Sequence, residues 1–272
     1  MFFKYNSDYY MKIRNDIVNS KKLIIFDSDG VLVEEGKVLD GAIDLIDFLT
    51  NNKIENIVFS NNSTKHPLTM KKIYNEQGLE INNVINSGML SVDYCKKKNI
   101  SRVYVVGEKG LVDLFEENNI KVVDTDVDAV IVGMDRMLTY EKLAIATRLI
   151  RNGARYIATN PDPAFPTKRG LEPGAGSMIA ALNTSTDKQP EIIVGKPNTF
   201  GFKLIFEDYK LKADDCLMIG DRYETDIIGA NEMDIDAIIV NTGIAKTREK
   251  PGNYKNYKEV PVIDNLRDLI LK

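Results

Sequence analysis

The chain has 272 residues, 43% hydrophobic and 28% charged, with no low-complexity tract, the make-up of an ordinary globular protein with room for one large domain or two modest ones. A net charge of −4 without a basic stripe interleaved with aromatics argues against nucleic acid as a partner, and no apolar stretch approaches the length of a membrane span. Cys95 and Cys216 stand far apart without C-x-x-C spacing and His66 is the lone histidine, which argues against a zinc site or a disulfide framework and fits a reducing cytoplasm.

The polar segment 1–19 lacks the apolar core of a leader. The first predicted element follows it, the apolar run Leu23, Ile24, Ile25, Phe26, which ends in Asp27, Ser28, Asp29 and Gly30. Such a run bounded by a turn residue suits a buried parallel strand, whose carboxyl end is where open α/β sheets hold ligands. Two carboxylates sharing one small volume repel unless a cation or a proton is shared between them. A D-x-D-G string alone is common in solvated turns. Val31 at the fifth position and Gly30 at the fourth argue against an EF-hand calcium loop.

Further strand-like runs at 57–60, 103–106, 129–132, 156–159, 192–194, 217–220 and 237–240 alternate with helical patterns at 42–49, 89–97, 111–118, 140–150, 177–182, 200–209 and 223–232. This alternation predicts an α/β fold with parallel sheets. The second strand end reads Ser60, Asn61, Asn62, Ser63, Thr64 and precedes a helical pattern after His66, either a donor cradle for a phosphate or a capped polar turn. A third end carries Gly195, Lys196, Pro197, where the proline biases Lys196 towards extended backbone. The fourth carries Gly220, Asp221, Arg222 and, in the first turn of a predicted helix, Asp226, which also complements the helix dipole. Hard oxygen ligands with this much negative charge fit Mg²⁺, and the whole set suits phosphoryl transfer.

The order D-x-D-G-V-L, S-N-N-S-T, G-K-P and G-D-R-x-x-T-D resembles the four motifs of the haloacid dehalogenase superfamily, in its NagD-like branch of p-nitrophenylphosphatases and phosphoglycolate phosphatases, over about residues 22–245. The resemblance implies a Rossmann-like parallel-sheet core of residues 1–82 and 189–272 with an α/β cap inserted at 83–188. It implies that Asp27 is the nucleophile forming an aspartyl-phosphate and Asp29 the acid/base. Ser60, Asn61 and Asn62 would hold phosphoryl oxygens and Lys196 would neutralise charge. Mg²⁺ would bind the Asp27 carboxylate, the Asp29 backbone carbonyl and Asp221, with Asp226 supporting through water. Thr159–Asp162 and Gly170–Gly176 resemble the cap signatures, which offers Asp162 and Gly174 for substrate contact; Pro173 at the first position of a helix is the alternative reading.

The expected partner is thus a small phosphorylated metabolite, such as a sugar phosphate, a nucleoside monophosphate, phosphoglycolate or p-nitrophenyl phosphate. Related phosphatases often dimerise through the cap, which leaves a homodimer open. A phosphotransferase or mutase using the same intermediate would need an alcohol acceptor, and a non-catalytic metabolite-binding protein would not turn over. One departure stands out: Glu35 occupies a position where the family has Gly, which predicts a reshaped, more acidic turn and an altered substrate preference.

Overall fold

The computed structural model describes residues 17–242 and 258–270, so most of the polar segment 1–19 and the last few residues of the motif match lie outside the described residues. In chain order the strands are β1 (Leu23–Phe26), β2 (Val33–Glu34), β3 (Lys37–Val38), β4 (Glu55–Ser60), β5 (Asn83–Asn86), β6 (Arg102–Val106), β7 (Lys121–Val122), β8 (Ala129–Val132), β9 (Arg155–Ala158), β10 (Ala164–Thr167), β11 (Gly170–Pro173), β12 (Ile192–Ile193), β13 (Cys216–Gly220), β14 (Asp236–Val240) and β15 (Val262–Ile263). Packing divides the chain into two units. One is drawn from Met1–Phe59, Lys71–Val84 and Phe202–Lys272, the other from Ser60–Met70 and Ile85–Gly201.

The first unit is built on a six-stranded sheet ordered β15-β14-β13-β1-β4-β5. β1 pairs in parallel with β13 on one side and β4 on the other, with Phe26 opposite both Ile219 and Val58. All four β1 residues are fully buried, as expected of an interior parallel strand covered on both faces, which reads as a continuous apolar run rather than an alternating one. The chain leaves β1 towards β4 and returns on the other side at β13. That reversal is the topological switch point at which such sheets bind ligands beyond their carboxyl ends. After Gly30 the chain makes the small hairpin β2–β3, with Glu34 opposite Lys37. Its two loop residues, Glu35 (φ 50) and Gly36 (φ 78), both have left-handed backbone, the pattern of a two-residue hairpin turn. Glu35 therefore stands where glycine is favoured, at a cost of about 1–2 kcal/mol, in a tight turn.

The second unit has its own five-stranded parallel sheet, β12-β9-β8-β6-β7. Its core joins Val106, Val130, Val132 and Ala158 to Ala146 and Ile150 of the helix Tyr140–Arg151 and to Met178, Ile179 and Leu182 of the helix Ala175–Thr186. Tyr156 lies among them and donates its hydroxyl to the carbonyl of Ile179 at 3.2 Å, so the buried phenol is satisfied. The borders expected at 82/83 and 188/189 differ from those of packing. β12 pairs with β9, Ile192 opposite Ile157, which makes the strand before Lys196 an edge of this sheet rather than a strand of the first unit. The turn that follows Ser60 joins the same unit through hydrogen bonds set out below. Among the described residues, no helix is long and apolar enough to cross a membrane.

Candidate active site

In the first unit the ladder between β1 and β13 continues one residue past Phe26, the Asp27 amide donating to Ile219 O at 2.9 Å. Asp27 is thereby fixed at the strand end beside Gly220 and Asp221. The segment after β13 was expected to be an α-helix over 223–232. It forms a π-helical turn, Tyr223–Ile227, before the helix Ile228–Glu232. Wide turns of this kind are frequent at functional sites. Here the turn brings Asp226 back over the strand end, where its Oδ2 accepts from the amides of Asp221 (3.2 Å) and Arg222 (3.1 Å). A side chain at Gly220 would overlap it: a Cβ there would lie 2.4 Å from Asp226 Cβ.

Asp27, Asp221 and Asp226 each offer a carboxylate oxygen, and these oxygens all lie within 4.8 Å of one another. Asp221 and Asp226 are only 3% and 1% exposed. Concentrating this negative charge in a largely dry place is costly without a counter-charge, and an all-oxygen donor set suits a hard divalent cation. The residues present fit Mg²⁺. The carboxylate of Asp29 is not a member of this group; Asp29 is exposed and opens a turn in which the Gly30 amide donates to Val33 O at 2.7 Å.

In the second unit Lys196 is 1% exposed, a degree of burial unusual for an ammonium side chain. Asn61 clamps its backbone from both sides: Asn61 Oδ1 accepts from the Lys196 amide at 2.9 Å, and Asn61 Nδ2 donates to the Lys196 carbonyl at 3.1 Å. The approach is close enough that a Cβ on Gly195 would sit 2.6 Å from Asn61 Oδ1. The carbonyl of Asn61 accepts in turn from Ser87 Oγ (2.6 Å) and Asn160 Nδ2 (2.7 Å). The side chain expected to touch phosphate is therefore engaged in holding Lys196, which leaves the backbone amide as the group Asn61 has for a ligand. Asn62 Oδ1 accepts from the amide and hydroxyl of Thr64 at 2.9 and 2.7 Å, the arrangement of a side-chain-closed turn. Ser60, 2% exposed, accepts from the Asn62 amide at 3.1 Å and keeps its hydroxyl proton for donation.

Asp162 accepts from Asn61 Nδ2 at 3.3 Å through its carboxylate and from the Gly176 amide at 2.9 Å through its carbonyl. Gly174 is the N-cap of the helix Ala175–Thr186 and donates to Pro163 O at 2.9 Å. Pro173 closes β11 instead of starting that helix. Asn160 falls within the run 159–162 that resembles a cap signature, while Ser87 and Tyr74, whose hydroxyl contacts Ser28, were not singled out from sequence. Tyr74 had no signal beyond helical periodicity, and Ser87 precedes the helical pattern at 89–97.

Comparison with known proteins agrees with this geometry. The family model of haloacid dehalogenase-like hydrolases matches residues 24–121, and a second, HAD-hydrolase-like, model matches 193–269. An acid sugar phosphatase of Staphylococcus epidermidis is 34% identical over 249 residues, covering 90% of this chain and 94% of that protein. The structure of a 4-nitrophenylphosphatase from Thermotoga maritima superposes with a TM-score of 0.84 at 30% identity, over 93% of this chain and 97% of that one. NagD of Escherichia coli K-12, 22% identical, shares the fold with a TM-score of 0.80 over 91% of this chain and 97% of its own. Motifs, sheet order and these likenesses agree: the chain belongs to the haloacid dehalogenase-like hydrolases, in their NagD-like, p-nitrophenylphosphatase branch.

Proposed function

We propose that this chain is a Mg²⁺-dependent phosphatase that hydrolyses small sugar phosphates and related phosphate monoesters through an aspartyl-phosphate on Asp27. The observation that carries this reading is the triad of half-buried Asp27 with buried Asp221 and Asp226 at the carboxyl ends of β1 and β13, in a chain of this family. The relative named as an acid sugar phosphatase supports the sugar-phosphate class.

A carboxylate oxygen of Asp27 attacks phosphorus and forms the acyl-phosphate bond as the P–O bond to the leaving group breaks. Asp29 delivers its proton to that departing alkoxide, which is too basic to leave alone. In the second half Asp29 takes a proton from water, the hydroxide attacks phosphorus, and inorganic phosphate leaves with Asp27 restored. Asp27, Asp221 and the Asp29 carbonyl would hold Mg²⁺, with Asp226 in support. When bound, the ion neutralises the repulsion between carboxylate and phosphate and draws charge from the phosphoryl oxygens. By its motifs alone, the family resemblance would give Ser60, Asn61 and Lys196 the part of donors to those oxygens.

Asp27→Asn keeps the shape but removes the nucleophile. Release of phosphate from p-nitrophenyl phosphate and from a sugar-phosphate panel, measured with Mg²⁺, should fall at least a thousandfold while the far-UV spectrum is unchanged. Turnover near wild type in this variant would overturn the assignment. Steady phosphate release by the wild type without an alcohol acceptor separates hydrolysis from phosphotransfer.

A further inference from the structure

We propose that Tyr74 is a positioning residue for the Asp27–Asp29 pair, acting through the hydroxyl of Ser28; this deepens the reading above and rests on it. Ser28 stands between the nucleophile and the acid/base, and it is 1% exposed. Its Oγ lies 2.5 Å from the hydroxyl oxygen of Tyr74. Its carbonyl accepts from the amides of Val31 (3.4 Å), Leu32 (3.0 Å) and Val33 (3.1 Å). Ser28 is thus tied at its side chain to Tyr74 and at its backbone to the turn that follows. The two peptide planes that flank it set the directions in which Asp27 and Asp29 leave the chain.

Tyr74 is well placed to hold them. It lies in the last turn of the helix Pro67–Glu76 and is 4% exposed, so its ring belongs to the close-packed interior. Burial raises the pKa of its phenol above the usual tyrosine value; the Ser28 bond opposes this, and the negative charges of Asp29 and Asp27 add to it. The phenol therefore keeps its proton through the neutral range, and either hydroxyl can donate in the bond between them. Three residues on, Gln77 Nε2 donates to the carbonyl of Gly36 at 2.7 Å. One short segment, 74–77, therefore pins the catalytic turn at Ser28 and the adjoining β2–β3 hairpin at its tip.

The test uses the full chain with Mg²⁺ and p-nitrophenyl phosphate, with kcat and KM determined separately and thermal unfolding followed in parallel. Tyr74→Phe and Ser28→Ala should each lower kcat about tenfold and leave KM within about twofold, because misaimed carboxylates slow the chemistry more than they weaken binding. The Ser28→Ala/Tyr74→Phe double variant should be no slower than the singles, since one bond is lost in all three. Unchanged kcat in both singles, losses that multiply in the double variant, or a rate loss equal to the unfolded fraction would each overturn the proposal. Should Tyr74→Phe fail to fold, the kcat and KM of Ser28→Ala decide alone. Asp27→Asn is run beside them: if it still turns over, the nucleophile assignment and this inference fall together. If it is inactive while Tyr74→Phe and Ser28→Ala match wild type, only the positioning role falls.

Discussion

A methyl group on Gly220 would lie 2.5 Å from Asp226 Oδ2 and 2.6 Å from Asp226 Cγ, so the glycine is the space into which the acidic side chain folds. Gly220→Ala must therefore push Asp226 out of the triad or distort the strand end. The expected result is a rise of tenfold or more in the Mg²⁺ concentration that half-saturates turnover, with a loss of about 1–3 kcal/mol in stability from overpacking. A magnesium titration of p-nitrophenyl phosphate hydrolysis, beside a urea unfolding curve, checks both. The carboxylates at this scale were legible in the sequence, since strand ends followed at once by Asp are local patterns. The role of the Asn61 side chain was not, because its partner lies 135 residues further along the chain and nothing local signals a clamp across that span.

Secondary structure was readable wherever apolar periodicity was long. The helix Tyr140–Arg151 and the strands β1, β8, β13 and β14 fall close to where the pattern put them. β5 was missed because its two interior apolar residues are bracketed by asparagines. The β10–β11 hairpin was missed because Ala164–Thr167 contains Pro166 and alternates in neither hydropathy nor burial. The π turn at Tyr223–Ile227 has the same apolar spacing as an α-helix to first approximation, and only the position of Asp226 gives it away. Asn86 illustrates how a strand is converted to a helix: it ends β5 and caps the helix Ser87–Lys97, its Oδ1 accepting from the Met89 amide at 2.9 Å while its Nδ2 donates to Lys65 O at 2.8 Å. Asn86→Ala removes the cap and the bond to the Lys65 carbonyl, so a loss of about 1–2 kcal/mol is expected. Chemical denaturation measures it, and a change under 0.5 kcal/mol, far below the usual ~1 kcal/mol of a lost cap, would argue against it.

Across the molecule, both cysteines are free and buried, which lowers their reactivity. Burial pushes the Cys95 thiol up to about 12, opposed by Arg155, and likewise pushes Cys216 up to about 12, with Asp215 adding to the shift. A raised thiol pKa leaves roughly one part in ten thousand as thiolate at pH 8, and thiolate is the reactive form. The folded protein should consume no iodoacetamide over hours at pH 8 and two equivalents in guanidinium, as read by intact mass; rapid native labelling would contradict the burial. The α/β class and the family were readable from the chain at this scale. The borders of the packing units were not, because they depend on which sheet β12 joins, and strand pairing is set by distant partners.

The chain passes between its two units at 59/60, 70/71, 84/85 and 201/202, so neither is a single stretch of sequence. The consequence concerns how such proteins can be recombined. Exchanging 83–188 for the equivalent piece of a relative would leave Asn61 and Lys196 behind while replacing Ser87, Asn160 and Asp162, the side chains that bond to Asn61. A graft that respects the physical seams has to carry 60–70 and run on to 201, and Lys196 then travels with the second unit while Asp27 stays with the first.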